Sequence, residues 1–184
     1  IMFANNEIGT IQPINEIGQI AKKYNILFHT DSVQAIGNIQ IDIQKMNIDS
    51  LSLSAHKFYG PKGIGVLYLK EGIKFRKYLN GGHQERNRRA GTENVAGIVG
   101  LAKAISIAYE NLEENNKKTI ELRDYFIDEV RRNITRVKIN GDLIKRLPGN
   151  INISFEFVEA DNILQELDKK DIYISTGSAC TTGR

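Results

Sequence analysis

Leu51-Ser52-Leu53-Ser54-Ala55-His56-Lys57-Phe58-Tyr59-Gly60-Pro61-Lys62-Gly63 is the stretch from which the rest of the chain is read. Apolar residues at 51, 53 and 55 alternate with serine, the period of a half-buried strand. Gly60, Pro61 and Gly63 then stop it. Lys57 therefore falls at or just past a strand end, its amine carried by rigid backbone. In open α/β sheets that is where ligands bind. A surface lysine on a loop is the plainer reading, and this stretch alone does not choose between the two.

Working outward, strand and helix patterns alternate. Ile1 to Ala4 is apolar and runs into the polar loop Asn5-Asn6-Glu7-Ile8-Gly9. Pro13 opens a helix through Lys23, with Ile14, Ile17, Ile20 and Ala21 at helical spacing. Residues 26–31 predict a strand ending on a carboxylate, 43–46 a short helical turn, 49–55 the strand above, and 65–69 another. This alternation argues for a parallel or mixed sheet covered by helices, an α/β fold. Residues 70–89 form a long basic loop with seven Lys/Arg against two acidic residues, a net +5. It suits a phosphate, a partner or plain solvent. From Val95 the pattern is helical, with one stripe at Ile98, Leu101, Ala102, Ile105 and Ala108 and a later one at Leu122, Phe126 and Val130. Glu113, Glu114, Lys117 and Lys118 between them make a solvated face. The region beyond is α+β in pattern: strands at 137–139 and 151–155, a helix over 161–169 and a short strand at 172–174. The expected division is 1–112 and 113–184.

With 184 residues, 41% hydrophobic and 26% charged, the composition is that of a soluble globular chain. The formal net charge of +3 argues neither for nucleic acid nor for a membrane. No apolar run approaches the roughly 20 residues that span a bilayer. No signal-peptide pattern stands at the N-terminus. One cysteine allows no internal disulfide and fits a reducing cytosol. The opening on a buried-strand pattern and the stop at Arg184, just after that cysteine, predict a fragment.

Three groups are able to carry chemistry. In His29-Thr30-Asp31-Ser32-Val33-Gln34 a carboxylate at a strand end, with an amide three residues on, is placed to grip a ring-shaped ligand; capping the next turn is the equal alternative. Ser54-Ala55-His56-Lys57 is the second. The third is Ser175-Thr176-Gly177-Ser178-Ala179-Cys180-Thr181-Thr182-Gly183. A lone cysteine usually packs as a small hydrophobe. This one sits among Ser, Thr and Gly, which build exposed loops, so an accessible thiol competes with that reading on even terms. His29 and Asp31 share a strand face, but His56 and His83 stand at no recognised metal-ligand spacing, so no metal is expected. Gly60-Pro61-Lys62-Gly63 lacks the spacing of a phosphate-binding P-loop.

Taken in order, Asn5-Asn6-Glu7-Ile8-Gly9, His29-x-Asp31-x-x-Gln34, Ser54-x-His56-Lys57 with Gly60-Pro61-Lys62-Gly63, Gln84-Glu85-Arg86 with Arg89-Ala90-Gly91-Thr92-Glu93-Asn94, and Ser175 to Cys180 resemble the cysteine desulfurases. These are pyridoxal-phosphate (PLP) enzymes of the NifS/IscS type, in the class-V aminotransferase group. The likeness runs through essentially the whole chain. It implies part of a fold type I large domain with a mainly parallel sheet, followed by part of a small α+β domain. It also implies the branch with a long cysteine loop.

The resemblance implies these roles. Lys57 holds PLP as a Schiff base and moves the substrate α-proton. Asp31 pairs with the pyridine nitrogen, where an anion favours the protonated ring. Gln34 bonds the phenolic oxygen, and Asn6 lies near that oxygen and the substrate carboxylate. Ser54 and His56 bind the phosphate, and His56 assists proton transfer near Lys57. Thr92 adds a phosphate contact from a helix start, in the family to the neighbouring subunit's cofactor, which implies a homodimer. Cys180 is the nucleophile that takes sulfur from L-cysteine as a persulfide and leaves L-alanine. The acceptor is then an iron–sulfur scaffold protein or a tRNA-thiolation relay, in the cytoplasm. His83 and Asn87 stand where the family has glycine, and both side chains tolerate left-handed backbone better than most. The ring-stacking histidine and the carboxylate-binding arginine of the family lie outside this sequence, so this piece alone is expected to be inactive. The alternatives are a related aminotransferase or selenocysteine lyase, or a non-catalytic dimerising module if the chain is complete.

Overall fold

The computed structural model describes residues 1–177. They fall into two compact units, Ile1–Phe3 with Pro13–Leu112, and Ala4–Gln12 with the chain from Glu113 onward. A single cut between 112 and 113 is thus not the whole division, because the hairpin of residues 4–12 packs with the C-terminal unit.

In the first unit α1 (Ile14–Lys23) buries Ile14, Gly18 and Ala21, one face at spacings of four and three. Pro13 stands at the cap position, just outside the first turn. Glu16 near the start and Lys22 and Lys23 at the end suit the helix dipole. Gly18 is obligatory: a Cβ there would lie 1.9 Å from the Met46 carbonyl oxygen. Ile20, expected in the stripe, is exposed.

Strand β1 (His29–Asp31) pairs in parallel with β2 (Ser50–Ser54), which pairs antiparallel with β3 (Gly65–Leu69). On the other side of β1, Phe3 N–H donates to Asp31 O at 2.8 Å and Asp31 N–H to Ile1 O at 3.0 Å, so Ile1–Phe3 extends the parallel part. The sheet is mixed because β3 returns at once from β2, without a helical crossover. β1 is shorter than expected, since Ile26 and Leu27 lie exposed before it. Residues 43–47 form a turn without helix. In the basic segment, Glu85, Arg86 and Asn87 have φ of 49°, 55° and 62°, a left-handed turn. Asn87 therefore uses the tolerance expected of it, whereas His83 sits at φ −100° and does not need it.

Helix α2 (Val95–Glu110) closes the core of this unit. Leu101 joins Ile36, Ala55 and Phe58, with Ala104, Ile105, Ala108 and Tyr109 packed alongside. Ile98 and Ala102 face out, so the apolar stripe is narrower and rotated from the expected one. Tyr109 OH donates to Ile39 O at 3.1 Å, and burial raises its pKa.

Helix α3 (Leu112–Asn133) leads into the second unit. It buries Arg123, Ile127 and Val130; Val130 is as expected, whereas Leu122 and Phe126, expected in the same stripe, are largely exposed. Arg123 Nη1 donates to Leu147 O at 3.3 Å from a buried position. Strands β4 (Val137–Ile139) and β5 (Ile153–Phe155) form an antiparallel pair, and α4 (Ala160–Asp168) follows. No strand forms at 172–174, where Ile172, Tyr173 and Ile174 are exposed and no partner strand lies beside them among the described residues. Among those residues no single helix is long and apolar enough to cross a membrane.

Candidate active site

The turn bearing Lys57 is built by its neighbours. After β2 the chain tightens into a 3₁₀ turn over Ala55–Phe58. Ala55 and Phe58 are buried in the core against α2, while His56 and Lys57 between them are exposed. Burying the Phe58 ring contributes about 1.5–3 kcal/mol and fastens the turn from both sides. Gly60 allows the close approach behind it: a Cβ there would meet Ala55 Cβ at 2.9 Å and Ala104 Cβ at 3.3 Å. Tyr59 takes φ 64° to make the exit.

Asp31, Ser54 and His56 gather at the same end of the sheet. In the parallel register Asp31 stands opposite Ser52, and Ser54 is two residues further along the same face of β2. Ser54 Oγ and His56 Nδ1 are hydrogen-bonded at 3.0 Å. Asp31 Oδ1 accepts from Val33 N–H at 3.0 Å, so the capping alternative is realised. That bond uses one oxygen and leaves Oδ2 without a donor among the described residues. Gln34 lies half-buried in the turn that Asp31 caps, its backbone oxygen accepting from Asn38 Nδ2 at 3.1 Å. His29, on the same face as Asp31, is bonded to Ser50 Oγ at 2.9 Å and lies 3.5 Å from Ser52 Oγ. Among the described residues no group of three or more His, Cys, Asp or Glu is gathered as a metal ion would require.

The remaining expected residues lie elsewhere. Thr92 is exposed, two residues before the cap of α2, so it precedes the helix start. The cap is Asn94, whose Oδ1 accepts from Gly97 N–H at 3.0 Å, a role the sequence signals by its position before an apolar helix. Asn6 belongs to the second unit, in the hairpin Ala4–Gln12. Cys180 lies outside the described residues. The segment leading to it starts at Ser175 and Thr176, which line a cavity of about 550 Å³ with Phe126, Ile153, Phe155 and Ile163.

The donor set on the first unit fits PLP. An exposed primary amine, a carboxylate oxygen open to an N–H, a hydroxyl–imidazole pair and a nearby amide are the groups that an aldehyde, a pyridinium, a phosphate and a phenolic oxygen require. Sequence reasoning did not find the network that holds the Asn6 loop, because its members, Asn140, Arg146, Asn150 and Asn152, lie more than 130 residues away.

The profile of the aminotransferase class-V family matches residues 1–183. A cysteine desulfurase IscS of Clostridium botulinum is 56% identical over 184 residues, covering 99% of this chain and 46% of that relative. A cysteine desulfurase IscS of Methanosarcina thermophila is 56% identical over 182 residues, covering 99% of this chain and 45% of that relative. A solved NifS-like protein superposes with a TM-score of 0.90 at 42% identity, covering 96% of this chain and 48% of that one. The chain thus spans about half the length of the curated relatives it matches.

Proposed function

This chain belongs to the class-V aminotransferase family, and from that premise we propose that it is a segment of a PLP-dependent cysteine desulfurase. The observation that carries the reading is the grouping of exposed Lys57, the open oxygen of Asp31 and the Ser54–His56 pair at one sheet end. The names of the relatives support the substrate, L-cysteine.

When bound, PLP supplies an electron sink for charge developing at the substrate α-carbon. The residues of this chain do the rest. Lys57 Nζ is the attachment point and the base that moves the α-proton. Asp31 Oδ2 accepts from the ring N–H and keeps that nitrogen protonated. Ser54 and His56 would hold the phosphate, with Thr92 as a further contact, and Gln34 would orient the ring oxygen; the resemblance assigns Asn6 to the substrate carboxylate. Cys180 would act as the sulfur acceptor: its thiolate would form the S–S bond to the substrate sulfur as the C–S bond breaks, the electron pair staying with the substrate carbon, whose Cβ takes up a proton, so that alanine and a persulfide remain.

The same proposal includes a homodimer, a sulfur-accepting scaffold or tRNA-thiolation protein, and a cytoplasmic location, which the single cysteine supports. The test has two arms. The 184-residue chain alone should hold PLP weakly, with no stable visible absorbance band, and should release no alanine from cysteine. A polypeptide restored to the length of the relatives should release alanine, and Cys180→Ala should abolish that release. Alanine release by the short chain would refute the first expectation. Sustained transamination by Cys180→Ala, without desulfuration in the parent, would mark an aminotransferase instead.

A further inference from the structure

A polar network in the second unit is arranged around the loop that carries Asn6. Asn5 Oδ1 accepts the N–H groups of Glu7 and Ile8, both at 2.9 Å. On the other side of the same residue, the Glu7 carbonyl accepts from Asn150 Nδ2 at 3.0 Å and from Asn152 Nδ2 at 3.3 Å. Asn152 is itself held, its Oδ1 accepting from Asn140 Nδ2 at 2.7 Å. The residue that follows Asn6 is therefore gripped at both its N–H and its C=O.

The grip has a rigid base. Arg146 is 4% exposed, and its guanidinium donates to the carbonyls of Asp142 at 2.8 Å, Asn150 at 3.2 Å, and Asn140. A guanidinium so buried is tolerable because these carbonyls satisfy it. It fixes the backbone of Asn150, one of the two clamping asparagines, and of Asn140, which holds the other. Asn150 also presses on the far end of the loop. Gly9 has φ +74°, and a Cβ there would lie 2.4 Å from Asn150 Oδ1.

We propose that Asn150 and Asn152 are positioning residues for Asn6, acting through the Glu7 carbonyl. Two side-chain amides on one carbonyl, from residues 143 and 145 positions away, add a long-range constraint to the bonds of the turn itself. The backbone from which the Asn6 side chain springs is then fixed on its C-terminal side. The assignment rests on the reading of Asn6 as a ligand of the substrate carboxylate.

Asn152→Asp removes the donor to Glu7 while keeping the shape and the oxygen that accepts from Asn140. Asn150→Ser removes the second donor. Both are made in the relative-length holoenzyme, alone and with Asn6→Ala. Amide hydrogen exchange should accelerate at Glu7, Ile8 and Gly9 and stay unchanged at Ala35 and Ile36 in the first unit. The KM for L-cysteine should rise about fivefold for Asn152→Asp, the equivalent of one lost hydrogen bond, with kcat nearly unchanged. Added to Asn6→Ala, it should cause no further rise, because the two act as one. Unchanged exchange in both variants overturns the clamp. A rise that adds to that of Asn6→Ala overturns action through Asn6. Asn6→Ala without effect on KM removes the reading of Asn6, and the proposal falls with it.

Discussion

The turn that carries Lys57 and the loop that carries Asn6 present candidate site residues in opposite ways. The Lys57 turn is supported from beneath by apolar packing, with Ala55 and Phe58 sunk into a core closed by Leu101. The Asn6 loop is held by the amides of Asn150 and Asn152, behind which the buried Arg146 bonds the carbonyls of Asn140, Asp142 and Asn150. Packing tolerates small shifts at a graded cost, whereas a carbonyl held by two amides has one good position. The lysine needs a firm base for a long flexible arm. The asparagine has a short arm, so its backbone must supply the aim.

The comparison can be broken from either side. Phe58→Ala should have the largest effect, about 3–5 kcal/mol of stability in denaturant unfolding. Its accelerated exchange should centre on residues 53–60 and leave residues 5–9 unchanged. Arg146→Ala should cost about 3 kcal/mol, since it leaves the carbonyls of Asn140, Asp142 and Asn150 without their donor. Its accelerated exchange should show the reverse distribution. Equal spread in both variants would mean that the two supports are not separate.

The smallest effect concerns Asp142, whose Oδ1 accepts the N–H groups of Lys145 at 2.7 Å and Ile144 at 2.8 Å. The Lys145 N–H, then the Ile144 N–H, holds its carboxyl below the usual carboxylate range. The charged form is the bonded one, so the support is complete above the ordinary carboxylate pKa and is lost as pH falls through the lowered value. The Lys145 amide resonance should therefore be flat near neutrality and move only below about pH 4 in an NMR titration. In Asp142→Asn it should not move.

The contrast also explains what could be read from the sequence. The Lys57 turn was legible because all its signals lie within thirteen residues: the alternation at 51, 53 and 55, then Gly60, Pro61 and Gly63. Asp31 was legible as a strand-end carboxylate, and its capping of the next turn is observed. The Asn6 support was not legible. Lys145-Arg146 reads as an ordinary surface pair, and Arg146 is buried only because carbonyls from 140, 142 and 150 converge on it. At Leu122 and Phe126 the apolar pattern misled, because the buried positions of α3 include an arginine at 123, which hydrophobic spacing does not pick out. At 172–174 the apolar pattern was real, but a strand needs a partner as well as a pattern.

The span from Glu7 to Asn150 and Asn152 has a consequence for the order in which the chain matures. As the polypeptide leaves the ribosome, everything that shapes the Lys57 turn has emerged once α2 is complete near residue 110. The Asn5–Gly9 segment emerges before the Lys57 turn yet waits for residue 152 before the Glu7 carbonyl has both its donors. Closing so long a loop is slow compared with local packing. A segment made before the Lys57 turn thus takes its final form after it, once the second unit has been made.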